Sequence, residues 1–346
     1  MSLPSSPFAG ATLDSTMNSR ASAVPGPLSV HGSAELAHIE RSGLVESRHI
    51  GAAAVVTAEG ERLRSLGDVD ATVFPRSTLK PLQALALIES GASFADDELV
   101  LATASHCGSP RHLAVVERML ADDGRTADDL HCPPDWPLGA AERAAYRASG
   151  APRSRLAMNC SGKHAGFLRA SDALGANDAS RYLDPAHPVQ RRVVDSIEGM
   201  LGERIRATGV DGCGAPLHAT SLAALARATA RVAAGETPAA RRLMAAVRAE
   251  PWAIDGDGRA NTRVIESLGG IAKIGAEGLV VIGLPSGVGV AVKVLDGSMR
   301  ATTPVALELL AATGHVSAAV VAALRAELDE PVRGGDQLVG GLRVTI

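Results

Sequence analysis

The stretch Pro75-Arg76-Ser77-Thr78-Leu79-Lys80-Pro81 places a serine three residues before a lysine, where the sequence predicts the start of a helix. A serine hydroxyl is a weak nucleophile at neutral pH and needs an adjacent base. A lysine three residues further along a helix lies about one turn away. Proline is tolerated only near a helix start, so Pro81 predicts that the helix begins at about Ser77 or Thr78. The stretch therefore indicates acyl transfer by a serine that uses lysine instead of histidine.

The same spacing also has a plainer interpretation, because Ser-x-x-Lys occurs in ordinary helices whose serine is a cap and whose lysine points to water. The placement favours function. Leu82, Leu85 and Ile88 recur at helical spacing, and Gly91 ends the pattern. Ser77 would then lie at a helix N-terminus, where free N–H groups stabilise developing negative charge.

The composition is that of an ordinary soluble enzyme. With 346 residues, of which 46% are hydrophobic, the chain is long enough to bury a sizeable core. Its net charge of −4, without a clustered basic tract, argues against a nucleic-acid partner. No stretch has the roughly 18 consecutive apolar residues that a membrane span requires, and no signal peptide is evident, so we expect a cytoplasmic protein without a membrane partner.

The predicted fold class is α+β, in two parts. Residues 1–33 are rich in Ser, Pro, Ala and Gly and are predicted to be a disordered extension, which leaves residues 34–346 as one catalytic domain. Strand patterns at about 44–75 and 271–346 predict one antiparallel sheet flanked by helices, with a mainly helical lobe at about 76–270. Helices are predicted at 81–90, 111–121, 140–148, 188–201, 221–234, 238–250, 304–313 and 317–328.

Four cysteines, Cys107, Cys132, Cys160 and Cys213, are too few and too scattered for a disulfide framework. Cys160 and Cys213 each lie in a polar, glycine-containing stretch, which favours tight turns and close approach to a ligand. The alternative for any one of them is a buried, inert thiol.

Four stretches, taken together and in this order, resemble the asparaginase II family, the rhizobial-type or class 3 L-asparaginases. They are Phe74-Pro75-Arg76-Ser77-Thr78-Leu79-Lys80-Pro81-Leu82-Gln83-Ala84, Ala104-Ser105-His106, Asn159-Cys160-Ser161-Gly162-Lys163-His164-Ala165-Gly166 and Asp211-Gly212-Cys213-Gly214-Ala215-Pro216. The resemblance runs from about Leu44 to the C-terminus. It implies a serine β-lactamase-like fold, a homodimer, and hydrolysis of L-asparagine to L-aspartate and ammonia.

By this resemblance two Ser–Lys pairs carry the chemistry, Ser77 with Lys80 and Ser105 with Lys273. The wider fold group uses Ser-x-x-Lys, Ser-x-Asn and Lys-Thr-Gly elements. Cys107 stands where that group has asparagine. Ser77 is the preferred nucleophile, with Ser105 as the alternative nucleophile or a proton relay. Lys293 competes with Lys273, although its alternation with valines is typical of the outer face of a strand.

The resemblance also implies a zinc ion held by Cys160, Lys163 and Cys213. Thiolates are good zinc ligands, whereas lysine is an unusual one because its amine must first lose a proton. Zinc would then order the substrate pocket, since Ser77 already supplies a nucleophile.

Recognition of free asparagine requires a cation for its α-carboxylate and an anion for its α-ammonium group. Arg76 suits the first role and Asp211 the second. His164, beside Lys163, is expected to contact the substrate or orient the metal site. Each of the three has an ordinary structural alternative: a surface arginine, a turn-capping aspartate and a core histidine.

Two other functions stay open at this point. One is a glutaminase-, β-lactamase- or esterase-like hydrolase with the same Ser–Lys chemistry, because one methylene in a pocket is worth only about 1–3 kcal/mol of discrimination. The other is a catalytically silent protein that binds zinc or an amino acid, which the cysteine at position 107 makes conceivable.

Overall fold

The computed structural model describes residues 24–346, so the part of the predicted extension at residues 1–23 lies outside the described residues. Residues 24–33 contact the domain. Pro27 forms a parallel bridge with Thr72, and the Thr72 amide donates to the carbonyl of Gly26 at 2.8 Å. Leu28 is buried. The domain therefore includes chain that the sequence assigned to the extension.

The main sheet is built from both ends of the chain. Its strands are β1 (Ala34–Arg41), β2 (Leu44–Thr57), β3 (Arg62–Leu66), β7 (Ile271–Gly275), β8 (Leu279–Leu284), β9 (Val288–Val294), β10 (Val332–Gly334) and β11 (Gln337–Val344). They run in the order β10-β11-β1-β2-β9-β8-β7, with β3 paired to β2. Every pairing is antiparallel. This confirms the predicted α+β fold with a sheet from the N- and C-terminal strands.

Helices fill the middle of the chain and flank the sheet. They are α1 (Lys80–Glu89), α2 (Asp96–Ala102), α3 (Pro110–Asp122), α4 (Ala140–Ala148), α5 (Ser161–Ala173), α6 (Pro188–Leu201), α7 (Leu222–Ala233), α8 (Pro238–Ala249), α9 (Ala260–Leu268), α10 (Thr302–Ala312) and α11 (Ala318–Leu328). Strands β8 and β9 are buried along nearly their whole length, and α7 and α10 both pack against them. The apolar composition of these strands follows from that cover.

The helical lobe also contains a small sheet that the sequence did not predict. Strand β6 (Pro216–Ser221) pairs with β4 (Thr72–Val73) on one side and with β5 (Ala207–Val210) on the other. The Asp211–Pro216 stretch connects β5 to β6, and β4 lies shortly before the turn that carries Ser77. This small sheet therefore brings two of the four motif stretches to one place.

Within residues 24–346, none of the helices combines the length and the apolar character needed to cross a bilayer.

Candidate active site

Ser77 lies in a 3-10 turn, Arg76–Leu79, that leads directly into α1. Arg76 has a φ of 52°, in the left-handed region that non-glycine residues rarely adopt. The Thr78 hydroxyl donates to the carbonyl of Pro75 at 2.7 Å and holds the turn. Strand β7 passes very close to it, because a Cβ at Gly275 would lie 2.9 Å from that same carbonyl oxygen. Ser77 is partly exposed in this strained turn.

Lys80 and Lys273 converge on Ser105. Lys80 Nζ lies 3.0 Å from Ser105 Oγ and also donates to the carbonyl of Ala104. Lys273 Nζ lies 2.9 Å from the same hydroxyl and donates to the carbonyl of Ile274 at 2.7 Å. One hydroxyl group thus links an amine on α1 to an amine on β7.

This centre is buried, and burial decides its electrostatics. Lys80, Ser105 and Lys273 are 1%, 4% and 0% exposed. Burial and, after it, the positive charge of Lys80 lower the pKa of Lys273 to about 7. An amine with such a pKa can accept a proton near neutral pH.

The two predicted Ser–Lys pairs differ in their contacts. Ser105 and Lys273 are in direct contact. Ser77 and Lys80 are one turn apart, yet within residues 24–346 no hydrogen bond joins their side chains; the Lys80 amine bonds to Ala104, Ser105 and Cys160 instead. The role of Ser77 stays a prediction.

Cys160, Lys163 and Cys213 form a second buried cluster, which contacts the first. Each is less than 5% exposed. Lys163 Nζ lies 3.1 Å from Cys213 Sγ, and Lys80 Nζ lies 3.0 Å from Cys160 Sγ. Because Lys80 contacts Cys160 Sγ, this cluster is in direct contact with the Ser–Lys centre.

Of the two thiols in this cluster, Cys160 and Cys213, one is ionised and the other is protonated. The hydrogen bond from Cys160 and the ammonium group of Lys163 lower the pKa of Cys213 far below the usual range of a thiol. The same hydrogen bond, together with burial, raises the pKa of Cys160. Burial opposes the charge of Lys163, but the neighbouring sulfur atoms outweigh it and raise the Lys163 pKa. Cys213 is therefore the thiolate of the pair.

This donor set fits a zinc ion in its chemistry. Two thiols and an amine meet in a buried place, and the Nε2 atom of the adjacent His164 has no hydrogen-bond partner within residues 24–346. Those residues contain no cluster of three or more His, Cys, Asp or Glu side chains suited to a metal ion, and the third predicted donor here is a lysine. The zinc site stays a prediction.

Arg76 and Asp211, the predicted substrate-binding residues, contact each other. Arg76 Nε lies 2.8 Å from Asp211 Oδ1, and Arg76 Nη1 lies 3.8 Å from Glu277 Oε1. The side chains of Arg76 and Asp211 are 24% and 11% exposed, so both are reachable from solvent. The cation and the anion expected to bind an amino acid are therefore side by side.

Next to Arg76 is a cavity of about 570 Å³ with a mainly apolar lining. Its walls include Phe74, Val210 and Leu295, together with Glu277. None of the three buried lysines lines it. Arg76 thus contacts both Asp211 and this cavity.

His164 is fully buried on α5, where its Nδ1 lies 2.8 Å from the hydroxyl of Tyr182. That hydroxyl also accepts from the amide of His131 at 2.7 Å. Burial lowers the pKa of His164, and the nearby Cys213 sulfur opposes this effect. His164 is therefore beside the Cys160–Cys213 cluster, and Tyr182, which the sequence did not single out, holds its ring.

The side chain of Cys107 is buried. Its sulfur lies 3.7 Å from His112 Nδ1, and its amide donates to the carbonyl of Asp255 at 2.7 Å. Burial raises the Cys107 pKa to about 11, so the thiol is protonated. The residue thus contributes through its backbone and its packing.

One signal in the sequence marks this site more clearly than the motifs do. The chain has 34 Lys and Arg residues, but only four are lysines: Lys80, Lys163, Lys273 and Lys293. The first three are the buried amines of the site, and the fourth lines the adjacent cavity. Asp255 and Asn261, both buried near Lys273, carry no comparable signal.

Comparison with known proteins identifies one family. Residues 37–344 match the family model described as L-asparaginase II. No individually curated protein sequence matches the chain.

Solved structures give weaker likenesses. The crystal structure of Mglu in its glutamate form is 17% identical, with a TM-score of 0.44 over 77% of this chain and 61% of that one. A second Mglu structure is 17% identical, with a TM-score of 0.42 over 85% of this chain and 73% of that one. A β-lactamase from Mycobacterium bovis is 16% identical, with a TM-score of 0.36 over 76% and 94%. The chain spans less than two thirds of the first of these structures.

Proposed function

Because the chain belongs to the L-asparaginase II family, we propose that it hydrolyses the side-chain amide of L-asparagine to L-aspartate and ammonia by Ser–Lys nucleophilic catalysis. Family membership supports an amidohydrolase, and the choice of L-asparagine is the step beyond it. The observation that carries the proposal is the hydroxyl of Ser105 between two buried amines, at 3.0 Å from Lys80 and 2.9 Å from Lys273.

Ser77 is the nucleophile in this proposal, and Ser105 is the relay. Ser77 is partly exposed whereas Ser105 is buried, so an incoming amide can reach Ser77 more easily. Ser105 is 4% exposed, and both its neighbours are amines, which suits a group that passes protons on. Hydrogen bonds in a substrate-free site are often long and tighten only when substrate binds, so the missing Ser77–Lys80 bond does not exclude attack.

The first half of the reaction forms an acyl-enzyme. Lys273 is neutral above a pKa of about 7, so a proton can pass from Lys80 through the Ser105 hydroxyl to Lys273. Lys80 then takes the proton of Ser77 as the serine oxygen bonds to the amide carbon. When the carbon–nitrogen bond breaks, the leaving nitrogen takes a proton back from the amines and departs as ammonia.

The second half regenerates the serine. A water molecule bonds to the acyl carbon while one of its protons passes to the amines. The bond between that carbon and Ser77 then breaks, and the serine oxygen recovers a proton as aspartate leaves. Free N–H groups at the N-terminus of the turn and α1 favour the oxyanion that forms in both halves.

Substrate binding uses the Arg76–Asp211 pair. The α-carboxylate of asparagine suits the Arg76 nitrogens that do not contact Asp211, and its α-ammonium group suits the second Asp211 oxygen. Binding both charges together leaves neither partner unpaired. Glutamine has the same two charges, so this pair does not distinguish the two amides.

Cys160, Lys163 and Cys213 would hold zinc in this proposal. The ion, when bound, supplies positive charge that fixes the thiolates and orders the pocket wall. His164 would keep its ring orientation through Tyr182. The homodimer and the cytoplasmic location expected from the sequence stay predictions.

The decisive experiment is a measurement of ammonia release by the purified protein from L-asparagine and, separately, from L-glutamine. Ammonia from asparagine at a higher kcat/KM than from glutamine supports the proposal. Release from glutamine alone, or from neither amide, contradicts it. The variant Ser77→Ala, purified in the same way, controls for a contaminating host asparaginase.

A further inference from the structure

Residues 254–261, which join the 3-10 turn Pro251–Ile254 to α9, contact the backbone on both sides of Ser105. The amide of Ser105 donates to the carbonyl of Ile254 at 3.2 Å. The amide of Cys107 donates to the carbonyl of Asp255 at 2.7 Å. These two bonds fix the extended segment from which the Ser105 hydroxyl projects.

Asp255 organises this segment from within. It is 1% exposed, and its Oδ1 accepts from Arg259 Nε at 2.5 Å. Its Oδ2 accepts from the amide of Asn261 at 3.3 Å. The carboxylate therefore closes residues 255–261 into a compact turn at the start of α9.

Asn261 carries the connection to Lys273. Strand β7 is at the edge of the sheet, and the amide of Ile274 donates to Asn261 Oδ1 at 3.0 Å. The carbonyl of that same residue accepts from Lys273 Nζ at 2.7 Å. Asn261, which is 1% exposed, thereby holds the residue that orients the Lys273 amine.

Together these bonds form a closed ring. It runs from Ser105 through residues 254–261 to Ile274 and Lys273, and the Lys273–Ser105 hydrogen bond of 2.9 Å closes it. Asn261 Nδ2 is buried and has no partner within residues 24–346, which costs stability. A buried amide that is only half satisfied favours a role beyond packing.

We propose that Asp255 and Asn261 are positioning residues of the Ser–Lys centre: Asn261 fixes the Lys273 amine against the Ser105 hydroxyl, and Asp255 holds Asn261 and the backbone beside Ser105 in place. This inference rests on the proposed function for its kinetic test. Neither residue touches the reacting atoms, and neither belongs to the motifs that the sequence displays.

The charged groups around Lys273 give the direction of the effect. Lys80 on α1 and Lys163 on α5 lower its pKa, whereas Asp255 and the Cys160 sulfur raise it. Arg259 neutralises part of the Asp255 charge through its 2.5 Å bond. Removing Asp255 should therefore favour neutral Lys273, and removing Arg259 should favour charged Lys273.

The test is the pH dependence of kcat for L-asparagine in the full-length protein. In Asp255→Asn we expect the acid limb of the profile to move to lower pH by about one unit. In Arg259→Gln, whose side chain is one-third exposed, we expect the limb to move to higher pH. Asn261→Ala should lower kcat by about 100-fold with little change in KM, because the amine is no longer held in place.

Two matched controls separate positioning from general damage. Glu98→Gln removes an equally buried carboxylate that pairs with Arg169 and Arg118, and Thr262→Ala removes a buried hydrogen-bonding group on α9 itself. Both should lower the melting temperature without moving the acid limb. An unmoved limb in folded Asp255→Asn and Arg259→Gln, or a normal kcat in Asn261→Ala, would overturn the proposal.

A second measurement does not need turnover. Protein labelled with ¹³C-lysine shows only four Cε resonances, since the chain has four lysines, and Lys273→Arg identifies the one from Lys273. The pKa of Lys273 measured from this resonance should be lower in Asp255→Asn and higher in Arg259→Gln than in the wild-type protein. If wild-type protein releases no ammonia from asparagine, the proposed function fails, while this titration still decides the inference.

Discussion

Lys80 and Lys273 share one hydrogen-bond partner, since the Ser105 hydroxyl oxygen lies 3.0 Å from the first amine and 2.9 Å from the second. Two ammonium groups this close in a buried site repel each other strongly. The two amines together are therefore most stable with one proton fewer than two free lysines would hold. Because burial and, after it, the charge of Lys80 lower the pKa of Lys273 to about 7, Lys273 is the amine that lacks this proton. A hydroxyl between a charged and a neutral amine can pass a proton from one to the other, which is the role proposed for Ser105.

The first prediction concerns pH. Only neutral Lys273 can accept a proton, and it is protonated below a pKa of about 7. We therefore expect kcat for amide hydrolysis to rise as the pH increases through about 7 and to fall roughly tenfold for each unit below it. Initial rates in constant-ionic-strength buffers measure this. A profile that stays flat from about pH 5.5 to 8.5 would contradict it.

The second prediction separates the two serines. Ser77→Ala should lower kcat by about 10⁴-fold or more, because no acyl-enzyme can form. Ser105→Ala should cost only about 10²–10³-fold, since a water molecule in the vacated space can pass protons between the amines. Mass spectrometry after rapid quenching should detect acylated protein in Ser105→Ala and not in Ser77→Ala.

A third variant controls for loss of a buried hydroxyl. Ser171, on α5, is fully buried, and among the described residues its hydroxyl bonds only to the carbonyl of Phe167, at 2.7 Å. Ser171→Ala should keep near-normal kcat. If Ser77→Ala were active and Ser105→Ala inactive and unacylated, Ser105 would be the nucleophile.

The third prediction concerns zinc. Elemental analysis should find zinc in the purified wild-type protein and none in Cys213→Ser, which lacks the thiolate of the cluster. Cys132→Ser is the matched control, because Cys132 is also buried but, within residues 24–346, its sulfur hydrogen-bonds to the carbonyl of Arg155 at 3.6 Å and to neither Lys163 nor Lys80. Equal zinc in both variants would rule out Cys213 as a ligand.

Elements that follow from local sequence periodicity could be predicted, whereas contacts between residues far apart in the chain could not. The helix that begins after Ser77 and the C-terminal strands follow from local periodicity, and both are present. Helices α2, α5 and α9 are absent from the predicted set, and for α5 the reason is that its glycines indicate a turn. The meeting of Lys80 with Lys273 joins residues 193 positions apart, and no local pattern encodes such a contact; only the resemblance placed both lysines in one site.

Asp255 and Asn261 are residues near the site that the sequence did not indicate. An aspartate in a glycine-containing stretch reads as a turn cap, and an asparagine near a helix start reads as a polar surface residue. Their burial follows from the docking of α9 against β7, which is a tertiary event. The scarcity of lysine was readable in the sequence, and it points to the site without any structural knowledge.

The fourth prediction explains why α5 contains glycine. A Cβ at Gly162 would lie 2.6 Å from both the Cγ and the carbonyl oxygen of Leu101, which belongs to α2. The carbonyl is backbone and cannot move aside without shifting α2, so Gly162→Ala should destabilise the fold by about 1–3 kcal/mol. Because α5 also carries Lys163 and His164, and α2 leads into Ser105, the same shift should lower kcat.

The matched control is Gly199→Ala in α6, where a Cβ meets no atom within 4 Å. Alanine restricts the unfolded chain and favours helix, so this variant should be stabilised by about 0.5–1 kcal/mol. Urea unfolding followed by circular dichroism measures both changes in the free energy of unfolding. A Gly162→Ala protein as stable as Gly199→Ala would mean that α2 and α5 are not in the close contact that brings Ser105 to the buried thiols and amines.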